Sequence, residues 1–238
     1  MIAIVNYNMG NLGSVYNAFE KIGAKAVIES NPDKLKEYDK LILPGVGAFG
    51  DAMEHLNKSG LKEAILDFAK SGKFVMGTCL GMQLLFESSQ EFGKHEGLGL
   101  IEGKVVPFDK SKFDNPNLKV PHMGWNEMFT INKGLTPNVL SQSDETFAGL
   151  TIKNMSRSDE TFGGLTQNKI FKDMPDEFYL YFVHSYHVEC DEKYAIGKTI
   201  YGYEFVSAVN KDNIYGFQPH PEKSHNVGLK ILENFVKM

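Results

Sequence analysis

One cysteine, Cys79, lies where a predicted strand turns sharply into a predicted helix. The apolar residues 74–76 precede it, and Gly77 and Gly81 flank it in Gly-Thr-Cys-Leu-Gly-Met-Gln at residues 77–83. Glycines at these positions allow the close approach and the unusual backbone angles of a nucleophile elbow. The elbow exposes its side chain at the carboxyl end of a strand, where the N-terminus of the next helix favours a thiolate. The spacing therefore predicts that Cys79 is a nucleophile.

A second group of reactive residues lies near the end of the chain, in Phe-Gln-Pro-His-Pro-Glu-Lys-Ser at residues 217–224. A thiolate nucleophile needs an imidazole within hydrogen-bond reach, and the imidazole needs a carboxylate or amide that fixes its tautomer. Two prolines restrict the backbone around His220 and Glu222. Taken separately, a lone cysteine is most often a small core residue, and a His–Glu pair most often lies on the surface. Together, Cys79, His220 and Glu222 predict acyl transfer through a thioester.

A glycine-rich segment, Leu-Pro-Gly-Val-Gly at residues 43–47, follows another predicted strand. Backbone N–H groups there could stabilise an oxyanion, and the loss of one such donor from known enzymes lowers turnover by roughly 10²–10³. The alternative is a phosphate-binding loop. The segment lacks a Gly-Lys-Ser/Thr ending and a third glycine in phase, so nucleotide binding is poorly supported.

Apolar, β-branched runs alternate with helical patterns through the first ninety residues, which predicts an α/β fold with helices on both faces of a parallel sheet. Predicted strands cover residues 2–5, 26–29, 40–43 and 74–76, and predicted helices cover 13–22, 52–69 and 80–88. In the second half, strand-like pieces at 104–108, 178–183, 187–190 and 205–210 precede a helix over 227–236. These pieces predict antiparallel additions to the same sheet. Ligands of such folds gather at the carboxyl ends of the strands.

Composition limits the possible functions. A chain of 238 residues can bury a sizeable core, and its net charge of −5 argues against nucleic acid as a partner. No apolar run approaches the roughly 18 residues of a membrane span, and no signal peptide is evident, so we expect a cytoplasmic protein without a membrane partner. Cys79 and Cys190 are the only cysteines, too few for a disulfide framework or a zinc site. We expect neither a metal nor a cofactor.

One segment repeats itself. Residues 141–151 recur fifteen residues later as residues 156–166, with Ser-Asp-Glu-Thr-Phe in both copies. The repeat is too short for a solenoid and predicts a tandem duplication inserted at about 134–166, either a protruding hairpin or a solvated loop. We therefore expect residues 1–238 to form a single domain that carries this insertion.

Three motifs in this order, Pro-Gly-Val-Gly at 44–47, Gly-Thr-Cys-Leu-Gly-Met-Gln at 77–83 and Pro-His-Pro-Glu-Lys-Ser at 219–224, resemble the class-I, triad-type glutamine amidotransferases. Further motifs at 6–12, 121–126 and 181–186 are similar to the glutaminase subunits of imidazole glycerol phosphate synthases. The resemblance covers nearly the whole chain. It implies a flavodoxin-like, three-layer fold, with a mainly parallel central sheet and added antiparallel strands.

The resemblance also implies a reaction. Cys79 attacks the side-chain amide of L-glutamine, His220 protonates the departing ammonia and then activates water, and Glu222 orients His220. The N–H groups of Val46 and Leu80 would stabilise the oxyanion. The residues implied to hold the substrate are Gly47, Gln83, His184, Ser185 and Tyr186.

In the family that the chain resembles, the partner is a cyclase subunit with a (β/α)₈ barrel, which receives the ammonia within a heterodimer. That enzyme makes imidazole glycerol phosphate and AICAR in histidine biosynthesis. Positions that match its interface are Trp125, Asn126, Tyr181 and Lys223. Trp125, the only tryptophan, could equally be a core residue. The ligand state of the barrel is expected to control the backbone at residues 45–47, so basal glutaminase activity should be low.

The chain departs from the family pattern at Asn6, Asn8 and Thr78, and the insertion lies between two of the interface motifs. These departures leave two alternatives open. The first is a paralogous glutaminase that supplies ammonia to a sugar-amidating partner in surface-polysaccharide or nonulosonic-acid synthesis. The second is a binding module without activity, against which the complete set of Cys79, His220 and Glu222 argues.

Overall fold

The computed structural model describes residues 1–131 and 168–238, and the repeat and the insertion predicted around it lie outside these ranges. The strands of the described residues are β1 Ile2–Val5, β2 Ala26–Glu29, β3 Lys40–Leu43, β4 Phe74–Thr78, β5 Phe86–Ser89, β6 His95–Glu96, β7 Ile101–Pro107, β8 His122–Thr130, β9 Glu177–His184, β10 Tyr186–Glu189, β11 Ala195–Tyr201, β12 Tyr203–Lys211 and β13 Ile214–Phe217. The α-helices are α1 Leu12–Lys21, α2 Phe49–Ser59, α3 Leu61–Lys70, α4 Leu80–Leu84 and α5 His225–Lys237.

These strands form one sheet. Its parallel part has the order β2-β1-β3-β4-β13, and the antiparallel strands β12, β10 and β7 extend it. Beyond them, β5 runs parallel to β7 and β6 antiparallel to β5, while β11, β8 and β9 branch off from β12. The prediction of a mainly parallel sheet with added antiparallel strands is confirmed. Strand β1 is buried throughout, as expected for a parallel strand with both faces covered.

Helices cover both faces of the parallel strands, because alternate residues of each strand point to opposite sides. On one side, Val5 and Leu43 belong to the apolar core that includes residues of α2 and α3. On the other side, Ile4 and Ile42 belong to a second core that includes Phe235 of α5 and residues of α1. The layers are therefore helix, sheet and helix, and the carboxyl ends of β3, β4 and β13 meet at one edge.

Two of the predicted helices are wrong. The single helix predicted over 52–69 is two helices, because Gly60 adopts a left-handed conformation at φ 73° that ends α2 and starts α3. The helix predicted over 80–88 ends at Leu84, where Leu84 O accepts a hydrogen bond from Leu98 N at 2.9 Å. Residues 86–89 then form β5, which pairs with residues 95–96 and with β7. None of the helices in residues 1–131 and 168–238 is long and apolar enough to cross a membrane.

Candidate active site

Cys79 occupies the turn between β4 and α4. Its backbone has φ 53° and ψ −114°, an uncommon conformation for a residue other than glycine. Cys79 N donates to Phe217 O at 2.7 Å, which continues the pairing of β4 with β13 up to Cys79. A Cβ atom on Gly81 would overlap Leu43 O, and one on Gly77 would overlap the backbone of Gly81. The close approach of α4 to β3 and β4 therefore requires both glycines, as predicted for an elbow.

His220 and Glu222, the predicted base and the carboxylate predicted to orient it, lie side by side. His220 Nδ1 lies 2.8 Å from Glu222 Oε1, and both side chains are almost fully buried. A short 3₁₀ turn over Pro221–Lys223 folds Glu222 back beneath the imidazole. The backbone of His220 is held on both sides, because its N–H donates to Tyr181 O at 2.8 Å and its carbonyl accepts from Ser224 Oγ at 2.6 Å. This geometry can fix one tautomer of the imidazole.

The charge state of His220 depends on its neighbours. Burial lowers the pKa of His220, but the interactions with Cys79 and Glu222 outweigh burial and raise the pKa to about 10. Cys79 Sγ lies 3.7 Å from Val183 O, and His220 Nε2 is buried with no hydrogen-bond partner among the described residues. A buried ring nitrogen beside a thiol is well placed to transfer a proton. Because α4 has only five residues, the main positive group available to a thiolate is His220 rather than the helix dipole.

A cavity of about 320 Å³ opens beside Cys79. The structure brings together in its wall every residue predicted to stabilise the oxyanion or hold the substrate: Val46, Gly47, Leu80, Gln83, His184, Ser185 and Tyr186. Glu91, Pro121 and Val183 complete the lining. The size suits a small polar molecule whose reacting atom lies against the thiol.

Gln83 lines this cavity with a fixed amide. Its Nε2 donates to Tyr186 O and to Gln218 Oε1, both at 3.0 Å. Both amide hydrogens are therefore used within the protein, which leaves Oε1 to accept a hydrogen bond from a ligand. Gln83 can thus recognise a donor such as an ammonium group, but not a carboxylate.

His184 takes part in a chain of hydrogen bonds that runs away from the cavity. Its Nδ1 lies 2.8 Å from Tyr186 O and must donate, so its Nε2 accepts from His122 Nδ1 at 3.0 Å. Asn126 Nδ2 then donates to His122 Nε2 at 3.2 Å. Burial lowers the pKa of His184 well below its ordinary value and lowers the pKa of His122 to about 4, so both rings are neutral. With both nitrogens occupied, His184 can offer a ligand its backbone and ring rather than a free N–H.

Sequence reasoning missed Glu91. Its carboxylate lines the cavity, and its Oε2 accepts from Phe49 N, at the start of α2, at 2.6 Å. Burial raises the pKa of Glu91, although the hydrogen bond from Phe49 opposes this shift. The turn between β5 and β6 brings Glu91 to the cavity. This turn was not predicted, because a helix was expected over 80–88 in place of β5. No local pattern distinguishes Glu91 from the other glutamates of the chain.

The predicted interface residues lie on two sides of the β8–β9 pair. Trp125 is 47% exposed, so it is not a core residue. Its ring stacks on His225 at 5.0 Å and meets Tyr181, its partner in β9, edge to face at 6.1 Å. Asn126 turns the other way and also donates to Ile200 O at 2.9 Å. Lys223 ends the short turn that carries Glu222.

Comparisons with known proteins show which family the chain belongs to. The family model for glutamine amidotransferase class-I matches residues 3–238, and the chain belongs to that class. Its curated relatives include the imidazole glycerol phosphate synthase subunit HisH of Sulfurimonas denitrificans, 60% identical over 100% of this chain and 98% of the relative. The subunit HisH of Wolinella succinogenes is 52% identical, with 100% of each chain covered. At these identities the chain belongs, within the class, to the family of HisH subunits.

The fold is also shared with solved structures. PurLQS from Thermotoga maritima matches with a TM-score of 0.66 and 18% identity, over 99% of this chain and 97% of that one. A structure described as a glutamine amidotransferase matches with a TM-score of 0.66 and 14% identity, over 100% of this chain and 98% of that one. At such low identity these two structures support the fold alone.

Proposed function

We propose that this protein is the glutaminase subunit of an imidazole glycerol phosphate synthase. It hydrolyses L-glutamine to glutamate and ammonia, and a cyclase subunit uses the ammonia to make imidazole glycerol phosphate and AICAR in histidine biosynthesis. The observation that carries the chemistry is the cavity in which Cys79 meets the predicted substrate residues, beside the buried pair of His220 and Glu222. The full-length similarity to HisH subunits supports the pathway and favours it over a sugar-amidating partner.

The reaction follows from these groups. The thiolate of Cys79 attacks the side-chain carbonyl carbon of glutamine, and the N–H groups of Val46 and Leu80 stabilise the resulting oxyanion. His220 donates its proton to the leaving nitrogen, the carbon–nitrogen bond breaks, and ammonia departs from a thioester. His220 then takes a proton from water, which attacks the thioester and releases glutamate. Glu222 keeps the imidazole in the tautomer that both steps need.

The cavity also supports an assignment for the two ends of glutamine. The carboxylate of Glu91 and Oε1 of Gln83 are acceptors, so we place the α-ammonium group against them. Gly47 and Ser185 also line the cavity, and their backbone and hydroxyl donors suit the α-carboxylate. In this arrangement the side-chain amide reaches the thiol.

The partner surface that we propose adjoins the nucleophile. Val183, whose carbonyl lies against Cys79 Sγ, belongs to β9, and Tyr181 and Trp125 continue the same outer face of the β8–β9 pair. A barrel docked on this face would cover the thiol, so ammonia could pass to it without entering the solvent. Heterodimer formation here would involve Trp125, Tyr181 and Lys223 directly and Asn126 through the backbone of β8.

We also propose that residues 1–238 form one amidotransferase domain carrying the insertion at about 134–166. The match of the family model across residues 3–238 supports this proposal. A cytoplasmic location fits a relative whose name places it in a biosynthetic enzyme.

The test separates the two half-reactions. With the cyclase subunit of the same organism, Cys79→Ser should abolish glutamine-dependent synthesis of imidazole glycerol phosphate and leave synthesis from added ammonia intact. Cys190→Ser, which changes the other cysteine, is the matched control and should retain both activities. Equal loss of both activities in Cys79→Ser would contradict the proposed division of labour. If the wild-type pair of subunits made no imidazole glycerol phosphate from glutamine or from ammonia, the proposed cyclase partner and the assignment to histidine biosynthesis would be wrong.

A further inference from the structure

The segment Asn-Tyr-Asn-Met-Gly at residues 6–10, which the proposed reaction does not use, lies beneath the glycine-rich loop. Tyr7 follows β1 and is only 2% exposed. Its hydroxyl donates to Pro44 O at 2.5 Å, directly before the loop of residues 45–47. The two segments meet because β1 and β3 are parallel neighbours whose carboxyl ends lie side by side.

The two loop glycines pack against this segment. A Cβ atom on Gly45 would lie 2.6 Å from the Tyr7 hydroxyl and 2.9 Å from Leu80 Cβ, so only glycine fits between Tyr7 and the start of α4. Gly47 has φ 106°, and a Cβ atom there would lie 2.7 Å from Met9 Cε. The loop of residues 45–47 is therefore held between residues 6–10 and the start of α4.

The hydrogen bond to Pro44 restrains one peptide plane. The carbonyl of Pro44 and the N–H of Gly45 belong to the same planar unit, so the Tyr7 hydroxyl fixes the direction of both. The next unit along the chain carries the N–H of Val46, the proposed oxyanion donor. With the plane between Pro44 and Gly45 anchored, the direction of the Val46 N–H depends on the backbone angles of Gly45.

We propose that the hydroxyl of Tyr7 is a positioning group for glutamine hydrolysis, which anchors the Pro44 carbonyl so that Val46 N–H can be directed at the oxyanion. This inference rests on the proposed function, because it names a further residue for the same site. Burial raises the pKa of the Tyr7 hydroxyl above its ordinary range, and the nearby Cys79 adds a smaller effect in the same direction. The hydroxyl therefore keeps its proton at neutral pH and remains a donor.

The experiment is Tyr7→Phe in complex with the cyclase subunit. This change removes one oxygen and leaves the ring in place, so the buried carbonyl of Pro44 loses its partner while the packing is preserved. We expect kcat for glutamine hydrolysis to fall by about 10- to 100-fold, with KM for glutamine changed less than about threefold. Synthesis from added ammonia should be unchanged. Tyr38→Phe is the matched control, since Tyr38 is also buried and its hydroxyl donates to Glu29 at 2.8 Å, in a different part of the protein.

A second measurement distinguishes positioning from general damage. Alkylation of Cys79 by iodoacetamide requires the thiol and His220 but no oxyanion donor, so its rate in Tyr7→Phe should stay within about twofold of wild type. A parallel fall in alkylation rate and kcat would overturn the inference, and so would an unchanged kcat. Either result would leave the proposed glutaminase in place, because that function is judged by the wild-type protein and Cys79→Ser.

Discussion

His122 Nδ1 donates a hydrogen bond to His184 Nε2 over 3.0 Å, and both rings are buried. The direction of this bond follows from its neighbours, because His184 Nδ1 must donate to Tyr186 O. Two neutral histidines thus connect Asn126 in β8 to the backbone of the candidate glutamine pocket. A proton added to either ring would remove an acceptor from the chain and place a charge in the core.

The free energy of unfolding at acidic pH should therefore depend on His122. The pKa of His122 is about 4 in the folded protein, below its ordinary value of 6.5, because burial disfavours the charged ring. The unfolded chain takes up this proton near pH 6.5 and the folded chain does not, so stability falls as pH drops from about 6.5 towards 4. His122 contributes up to about 1.4 kcal/mol per pH unit in this window.

Urea unfolding at pH 7 and pH 5, compared between wild type and His122→Asn, measures this contribution. Asparagine keeps a donor near the position of Nδ1 but does not titrate, so the variant should lose less stability between the two pH values. His55→Asn, which removes an exposed histidine of α2, is the control and should match wild type. An identical pH dependence in His122→Asn and wild type would exclude His122 as the source.

Glu222→Gln should narrow the pH range of glutamine hydrolysis. The carboxylate is one of the groups that raise the pKa of His220 to about 10, against the effect of burial, so its neutralisation should lower that pKa. The protonated imidazole would then be lost at lower pH, and the alkaline limb of the kcat profile should move towards neutrality. We also expect kcat at its optimum to fall at least about tenfold, because the amide holds the imidazolium less strongly.

The measurement is the pH profile of partner-stimulated glutaminase activity in Glu222→Gln. Glu63→Gln, on the exposed face of α3, removes one negative charge elsewhere and should keep the wild-type profile. A fall in kcat without any shift of the alkaline limb would mean that Glu222 acts on the position of His220 and not on its charge.

The first half of the fold was predictable because its signals are local. Strands β1, β2 and β3 coincide with the predicted ranges, since each is a short, β-branched or apolar run next to a clear helical pattern. Strands β5 and β6 were not predicted. Their residues acquire strand structure only by pairing with each other and with β7, and Phe86 follows an apolar helix without a break in the pattern.

The candidate site, like the fold, was predictable only where its signals are local in the sequence. Cys79 and His220 carry local signals, namely flanking glycines and prolines, and they follow the neighbouring parallel strands β4 and β13. The part played by His184 was not predictable, because its side chain faces His122 from a strand far away in the sequence. Glu91 depends on a turn between two unpredicted strands. Local motifs therefore predict the candidate reacting groups, whereas Glu91 and the hydrogen bonds of His184 depend on long-range pairing.

The elbow glycines should tolerate no side chain. A Cβ atom on Gly81 would overlap Leu43 O, and no flexible side chain is present there to move aside. We expect Gly81→Ala to lower the free energy of unfolding by about 3 kcal/mol or more. Gly13→Ala in α1 is the matched control, because nothing lies within 4 Å of its Cβ position. It should raise stability by up to about 1 kcal/mol. Denaturant unfolding measures both, and equal stability of the two variants would contradict the packing argument.

Trp125 should contribute strongly to binding of the cyclase subunit. Its ring is 47% exposed, yet it is fixed in place by stacking on His225 at 5.0 Å and by its edge contact with Tyr181. A large aromatic side chain that is ordered before binding loses little entropy when a partner covers it. We therefore expect Trp125→Ala to raise the Kd for the cyclase by about 30-fold or more, equivalent to about 2 kcal/mol. Calorimetric titration of the two subunits measures this change.

Ile28→Ala is the control, since Ile28 is also 45% exposed but lies in β2 at the opposite edge of the sheet. If both variants bound the cyclase as wild type does, the partner would dock elsewhere than on the outer face of β8 and β9.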